Sequence, residues 1–229
     1  MSDGEIRELF GEVPYWAGDA IREYKPVEDY AQDFITESYW SCCASVNLGE
    51  LRGMAQLPDC GHSWRQFICS DQKMQANLKA FKENPAYYTG LPERNPSMYF
   101  VRVNGRLYVG GDGRYRATIG KFYLYSQPCP YLHHIELHDY SVDFEFMRVY
   151  REFVAKKPSW LKAEVAHLID HREDGVGWKR DYYQQLTVHV TDTRSGLSSV
   201  HDKFSLAEAV SALAHKAPSL FSRILRRAA

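Results

Sequence analysis

The chain carries almost no net charge: 28 Lys and Arg against 29 Asp and Glu leave -1 at pH 7 over 229 residues. A globally basic nucleic-acid binder is thereby excluded, and only a local basic patch remains open. No apolar run reaches the about 20 residues of a membrane helix. The acidic start Met1-Ser2-Asp3-Gly4-Glu5 lacks the basic-then-apolar order of a signal peptide, so the expected location is the cytoplasm. Five cysteines, with Cys42 and Cys43 adjacent, are an odd number and suggest no disulfide framework. Cys60, His62 and Cys69 lack the paired spacing of a zinc knuckle. The sequence shows no internal repeat and no low-complexity tract. Two nucleotide motifs are also missing. Gly111 to Arg116 has no third glycine of a dinucleotide fingerprint, and Gly120-Lys121-Phe122 has neither the upstream glycine nor the Ser/Thr of a P-loop.

What is present suffices for a core. Hydrophobic residues make up 45% of the chain, which rules against global disorder. The length fits one large domain or a core with a small appendage. The 16 tyrosines are compatible with interfaces and base stacking, but ordinary half-buried sheets are the expected use.

The chain is organised around Val109-Gly110-Gly111-Asp112-Gly113-Arg114-Tyr115-Arg116. A strand over residues 97–103 leads in, Asn104-Gly105 is a type I′ turn signal, and a second strand spans 106–109. A helix is expected from about Arg114. Glycines before a helix start let backbone N–H groups approach a ligand, and the helix N-terminus carries partial positive charge. Arg114 and Arg116 add fork-shaped donors suited to phosphate. Two readings stand: a hairpin-to-helix junction whose glycines serve backbone geometry alone, or an anion cradle. Two arginines where the macrodipole disfavours cations favour the cradle, because an anion would offset their cost. In that reading Arg116 contacts phosphate, Gly110, Gly111 and Gly113 give backbone approach, and Tyr115 and Thr118 lie beside them. Asp112 either holds Mg²⁺ or acts as a base, or else caps the helix.

Asp112-Gly113-Arg114-Tyr115-Arg116 resembles the Gly-x-x-Arg signature of the ParB/sulfiredoxin-like superfamily, whose relatives often read Asp-Gly-x-x-Arg. Ala44 to Arg52 is similar to the family's early strand and turn, and Tyr131 to Leu137 sits where its next strand falls. The likeness covers residues 38–139. It implies a mixed α+β fold, with a wrapping segment over 1–37, a core over 38–140, and a helical and hairpin extension over 141–229 packed on it. Where sulfiredoxins carry Cys and His between Gly and Arg, this chain has Arg114 and Tyr115, which argues against sulfinic-acid repair. Neither the Glu-Arg of chromosome-segregation ParB proteins nor a helix-turn-helix domain is evident. The branch left is that of plasmid-borne, Osa-like fertility-inhibition factors. That branch implies ATP or another nucleotide with Mg²⁺, ATPase or DNase activity, DNA as a partner, and action on conjugation or a type IV secretion component. It also implies Asp112, Arg116 and Glu50 as the catalytic set. The alternatives are a non-enzymatic inhibitor that binds such a partner and a small-metabolite kinase of the superfamily.

Periodicity fills in the rest. A short N-terminal helix precedes a strand over 38–46, and residues 57–61 form a turn. Ser70-Asp71 caps a helix through Met74, Leu78 and Phe81, which ends before Asn84-Pro85. Residues 87–96 read as a loop and 131–138 as a strand. Ser141 opens an amphipathic helix whose apolar set is Phe144, Met147, Tyr150 and Val154 with Phe146 and Phe153 beside it, and Pro158-Ser159 starts another over 160–171. Residues 173–177 read as a loop, and 185–193 with 197–204 as a hairpin. Ser205 opens a capping-box helix, and a last basic helix ends in Arg223, Arg226 and Arg227. Along the strand at 131–138, His134, Glu136 and His138 point to one face, either as metal ligands or as the polar side of an edge strand.

Overall fold

The structure, a computed structural model, describes residues 2–57, 63–90 and 98–214. In chain order its elements are α1 (Asp3–Phe10), β1 (Arg22–Glu23), β2 (Ile35–Asn47), β3 (Leu51–Met54), α2 (Trp64–Ile68), α3 (Gln72–Glu83), α4 (Ala86–Thr89), β4 (Tyr99–Val103), β5 (Arg106–Val109), α5 (Arg114–Tyr125), β6 (Tyr131–Val142), α6 (Phe144–Lys156), β7 (Leu161–Ala166), β8 (Ile169–Gly175), β9 (Trp178–Tyr183), β10 (Thr187–Asp192), β11 (Ser198–His201) and α7 (Lys203–Ala214). The class is α+β, as expected. The chain divides into two units: Met1–Pro26, Tyr39–Tyr140 and Asp174–Lys179 in the first, and Val27–Ser38, Ser141–Glu173 and Arg180–Ala229 in the second.

In the first unit the strand order is β1-β3-β5-β4-β6-β2. Asn104 and Gly105 both lie at positive φ, 46° and 78°, so the β4–β5 hairpin closes through the turn that Asn-Gly favours. β1, β3 and β5 run parallel, with Glu23 beside Met54 and Met54 beside Val109. Their carboxyl ends therefore lie together where β5 leaves the sheet for α5. That helix buries Ala117, Ile119, Phe122 and Leu124. Phe122 meets Trp16 at 4.9 Å and Phe10 at 5.6 Å between ring centroids, and Phe10 meets Phe81 at 5.5 Å. Each such fully buried ring contributes about 1.5–3 kcal/mol, which fixes α5 against α1 and α3. In α3 the cap is as read: Asp71 Oδ1 accepts from Met74 N–H at 2.9 Å, and the helix ends at Asn84.

In the second unit β7, β10 and β11 form a sheet of order β11-β10-β7. Leu161 pairs with Asp192 and Val165 with Val188. Ile35 and its followers in β2 lie beside β9, with Arg180 Nε 3.3 Å from Glu37, and β8 pairs outside β9, where Arg172 grips Asp181. The guanidinium of Arg194 stacks 3.4 Å over Trp160.

Several expectations need correction here. Residues 160–171 are not a helix but β7 and the start of β8. Lys162-Ala163-Glu164 favours a helix locally, yet the backbone pairs with β10, so tertiary pairing overrides propensity. Residues 173–177 are the end of β8 and a tight turn with Gly177 at φ 77°. α6 is capped by Asp143 rather than Ser141, because β6 runs on to Val142; its buried set is Phe146, Met147, Val149 and Phe153, and Val154 is exposed. α7 starts at Lys203, with Asp202 Oδ1 accepting from Ser205 N–H, so Ser205 lies inside the helix. The loop over 87–96 begins instead as the end of the single-turn α4, and its residues 91–96 lie outside the described residues. The turn at residues 58–61 and the C-terminal basic helix lie outside the described residues.

Candidate functional site

The three glycines of the central turn differ in what they are for. Gly110 is buried, and a Cβ there would collide with the Tyr99 ring; its N–H donates to Tyr99 O at 3.0 Å. Gly113 caps α5 at φ 92° and abuts Met98, so both backbone and space demand glycine. Gly111 has neither reason. It is exposed, not in the left-handed region, and a Cβ would only touch the Tyr99 hydroxyl at 3.7 Å.

The start of α5 has no side-chain cap. First-turn N–H groups have no acceptor within their own helix and face outward. Asp112 lies across this opening: Oδ1 accepts from Gly113 N–H at 2.7 Å and Oδ2 from Arg116 Nη2 at 3.1 Å. The Arg116 side chain is only 14% exposed while that of Asp112 is 78% exposed. Asp112 thus sets a negative charge beside Arg116 at the helix start, where the macrodipole favours one. Arg114 turns away from the opening, donating to Gln56 O at 3.4 Å and to the Tyr115 hydroxyl at 3.3 Å. Tyr115 in turn donates to Asp71 Oδ2 at 3.0 Å. The Met74 N–H and then the Tyr115 hydroxyl hold the Asp71 carboxyl below its ordinary pKa, and burial raises that of Tyr115.

Two candidates are not brought to the turn. Thr118 is buried and spends its hydroxyl on Arg114 O at 2.8 Å. Glu50 follows β2 on a short helical turn, Leu48–Glu50, whose carbonyls at Leu48 and Gly49 accept from Lys121 Nζ at 3.2 and 3.0 Å. That anchor lies about 10 Å of helix beyond Arg114 at 1.5 Å per residue. Lys121 itself is 3% exposed, with its ammonium 4.1 Å from the Trp16 ring centroid and 5.3 Å from that of Trp64. Burial, aided by the Arg52 charge and opposed by Asp19, lowers its pKa to about 8.

A second polar surface follows β2 and β6. Leu132 and Ile135 are both buried though three residues apart, because His134 takes φ 53° and inserts one extra residue, the signature of a bulge. The bulge directs His133 Nδ1 to Ser45 Oγ at 2.8 Å and His134 Nδ1 to Cys43 Sγ at 3.0 Å. Further along, Glu136 Oε1 accepts from Trp40 Nε1 and contacts His138 Nε2, both at 3.0 Å. Those bonds, Trp40 foremost, hold the Glu136 carboxyl below its ordinary pKa. His134, Glu136 and His138 thus share a face but divide between different partners. Among the described residues no group of three or more His, Cys, Asp or Glu is arranged to hold a metal ion. Tyr99 joins the two surfaces, its ring against Gly110 and edge-on to His138 at 5.8 Å. Trp40, Cys43, Ser45 and Tyr99 escaped the sequence reading; the broken alternation at Leu132, Ile135 and Leu137 was the signal for the bulge.

Among the described residues no helix is long and apolar enough to cross a membrane. No family model, curated protein or solved structure matches the chain.

Proposed function

We propose that the chain binds a nucleotide or related phosphorylated anion at the turn Gly110–Arg116, in the manner of the ParB/sulfiredoxin-like proteins its motif resembles. Gly111 carries this reading: it is an exposed glycine with no conformational or packing need, at an uncapped helix start. The turn also lies at the carboxyl ends of the parallel strands β1, β3 and β5, where open sheets that carry helices collect ligands. The incoming phosphate takes first-turn N–H groups and shares Arg116 with Asp112, or displaces it. Were Mg²⁺ to accompany the nucleotide, Asp112 is the carboxylate that would hold it, and the ion would offset phosphate charge there. Arg114 acts by holding Tyr115 and the end of β3. ATPase or DNase action, a cytoplasmic setting and inhibition of conjugative transfer or type IV secretion complete the reading by analogy with the fertility-inhibition branch.

Calorimetric titration with ATP, ADP, CTP and GTP plus Mg²⁺ tests it, on wild type and Arg116→Ala. Binding that weakens at least about tenfold in the variant, the size expected for a charge-assisted bidentate contact, supports the cradle. No heat at millimolar nucleotide sinks it.

A second reading rests on a different observation. The second unit exposes Leu168, Ile169, Leu197, Val200 and Phe204, apolar side chains suited to a protein partner. In that case the chain inhibits a secretion or DNA-transfer component without catalysis. Tagged protein that recovers no such component from conjugating donor cells counts against it.

A further inference from the structure

The β2–β6 surface holds two pairs of a nucleophile and an imidazole side by side, and neither belongs to the anion cradle. Cys43 Sγ lies 3.0 Å from His134 Nδ1, and Ser45 Oγ lies 2.8 Å from His133 Nδ1. Cys43 and His134 are both solvent-exposed, so the pair is open to a reagent. His134 holds its position through a backbone conformation that histidine adopts at a cost, φ 53°, and the extra residue of the bulge lets both imidazoles reach β2. The bulge therefore sets the register that places a base against the thiol. We propose that Cys43 is a thiol nucleophile that exchanges with low-molecular-weight disulfides, with His134 as its base.

The step balances within the pair and its substrate. As Cys43 Sγ attacks one sulfur of the disulfide, its proton passes to His134 Nδ1. A new S–S bond forms to Cys43, the substrate's S–S bond breaks, and the departing thiolate takes the proton back from the imidazolium. The products are a mixed disulfide on Cys43 and one free thiol. Ser45 lacks the nucleophilicity for this exchange; with His133 it fixes the neighbouring strand. Cys129 is a looser case, its Sγ 4.0 Å from His133 Nε2.

The molecule contains its own control. Cys42 is exposed like Cys43, but it lies on the other side of the strand beside Gly177, and among the described residues it has no imidazole partner. The test reacts the intact protein with an aromatic disulfide, dithiobisnitrobenzoate, at neutral pH, and assigns each labelled cysteine by peptide mass spectrometry. Cys43 reacts at least about tenfold faster than Cys42, a floor below the about 10²–10⁴-fold that a positioned base supplies. His134→Asn keeps the backbone, because Asn tolerates positive φ, and brings the Cys43 rate down to that of Cys42 while Cys42 is unchanged. Half-buried Cys69 reports on the fold: if it accelerates in His134→Asn, His134→Gln replaces that variant and the same drop is required. Equal rates for Cys42 and Cys43 in the wild type, or a Cys43 rate indifferent to position 134, overturn the proposal.

Discussion

The two polar surfaces of the first unit solve opposite problems. At the glycine turn charge is paired off: Asp112 answers Arg116, and Asp71 answers the Arg114–Tyr115 pair. What stays on offer there is backbone, an uncapped helix start behind an exposed glycine. Along β2 and β6 the backbone is committed to strand pairing, and the chemistry lies in side chains aimed by one bulge. The first arrangement suits holding an anion; the second suits moving a proton. Local backbone geometry decides which kind of site a stretch of chain becomes.

The largest effect is expected at Lys121, the buried cation that ties α5 to the turn at Leu48–Glu50. The unfolded chain keeps this proton up to pH 10.5 while the fold releases it at about 8. Between those values the unfolded state binds more protons, so stability rises with pH through that window and the burial cost is fully present below it. At about 1.4 kcal/mol per pH unit the rise is at most about 3 kcal/mol, and smaller to the extent that the two carbonyls and two indoles hold the proton. Urea denaturation at pH 7.5 and 10.5 will show this gain in the wild type and its loss in Lys121→Met.

Glycine replacement sharpens the contrast within the turn. Gly110→Ala overpacks against Tyr99 and costs about 1–3 kcal/mol. Gly113→Ala forces alanine to positive φ for about 1–2 kcal/mol, with the Met98 contact added. Gly111→Ala stays within about 0.5 kcal/mol of wild type, yet weakens nucleotide binding, which separates the ligand-facing glycine from the structural ones. Thermal melts and titrations on the three variants check the order. Asp112→Asn gives the smallest effect. Losing a surface ion pair worth about 0.2–1 kcal/mol removes one competitor for the Arg116 guanidinium, so inorganic phosphate without Mg²⁺ binds up to about fivefold tighter; weaker binding would make Asp112 part of the cradle itself.

Much of this architecture was legible where local chemistry is unambiguous. Asn104-Gly105 specifies a turn because both residues take positive φ, and Asp71 with Met74, Leu78 and Phe81 specifies a capped helix. Residues 160–171 were misread because Lys162-Ala163-Glu164 prefers a helix, and only pairing with β10, more than twenty residues on, makes it a strand. The glycines were visible, but their division of labour was not, since it depends on Tyr99 and Met98 in space. Likewise the cations at the start of α5 looked uncompensated in sequence, whereas Asp112 folds back onto Arg116. The thiol–imidazole pair joins residues 91 apart in the chain and rests on a bulge that periodicity signals only as a break.

Whether the glycine turn holds a nucleotide is decided by following backbone amide resonances while ATP and Mg²⁺ are added to the full chain. Saturable shifts are expected at Gly111 and over Arg114–Ala117, needing at least about tenfold more ATP in Arg116→Ala, with the amides of Cys43, Ser45 and His134 unmoved. Shifts centred on β2 and β6, or none at millimolar ATP, would contradict binding there and leave the glycine turn a purely structural junction.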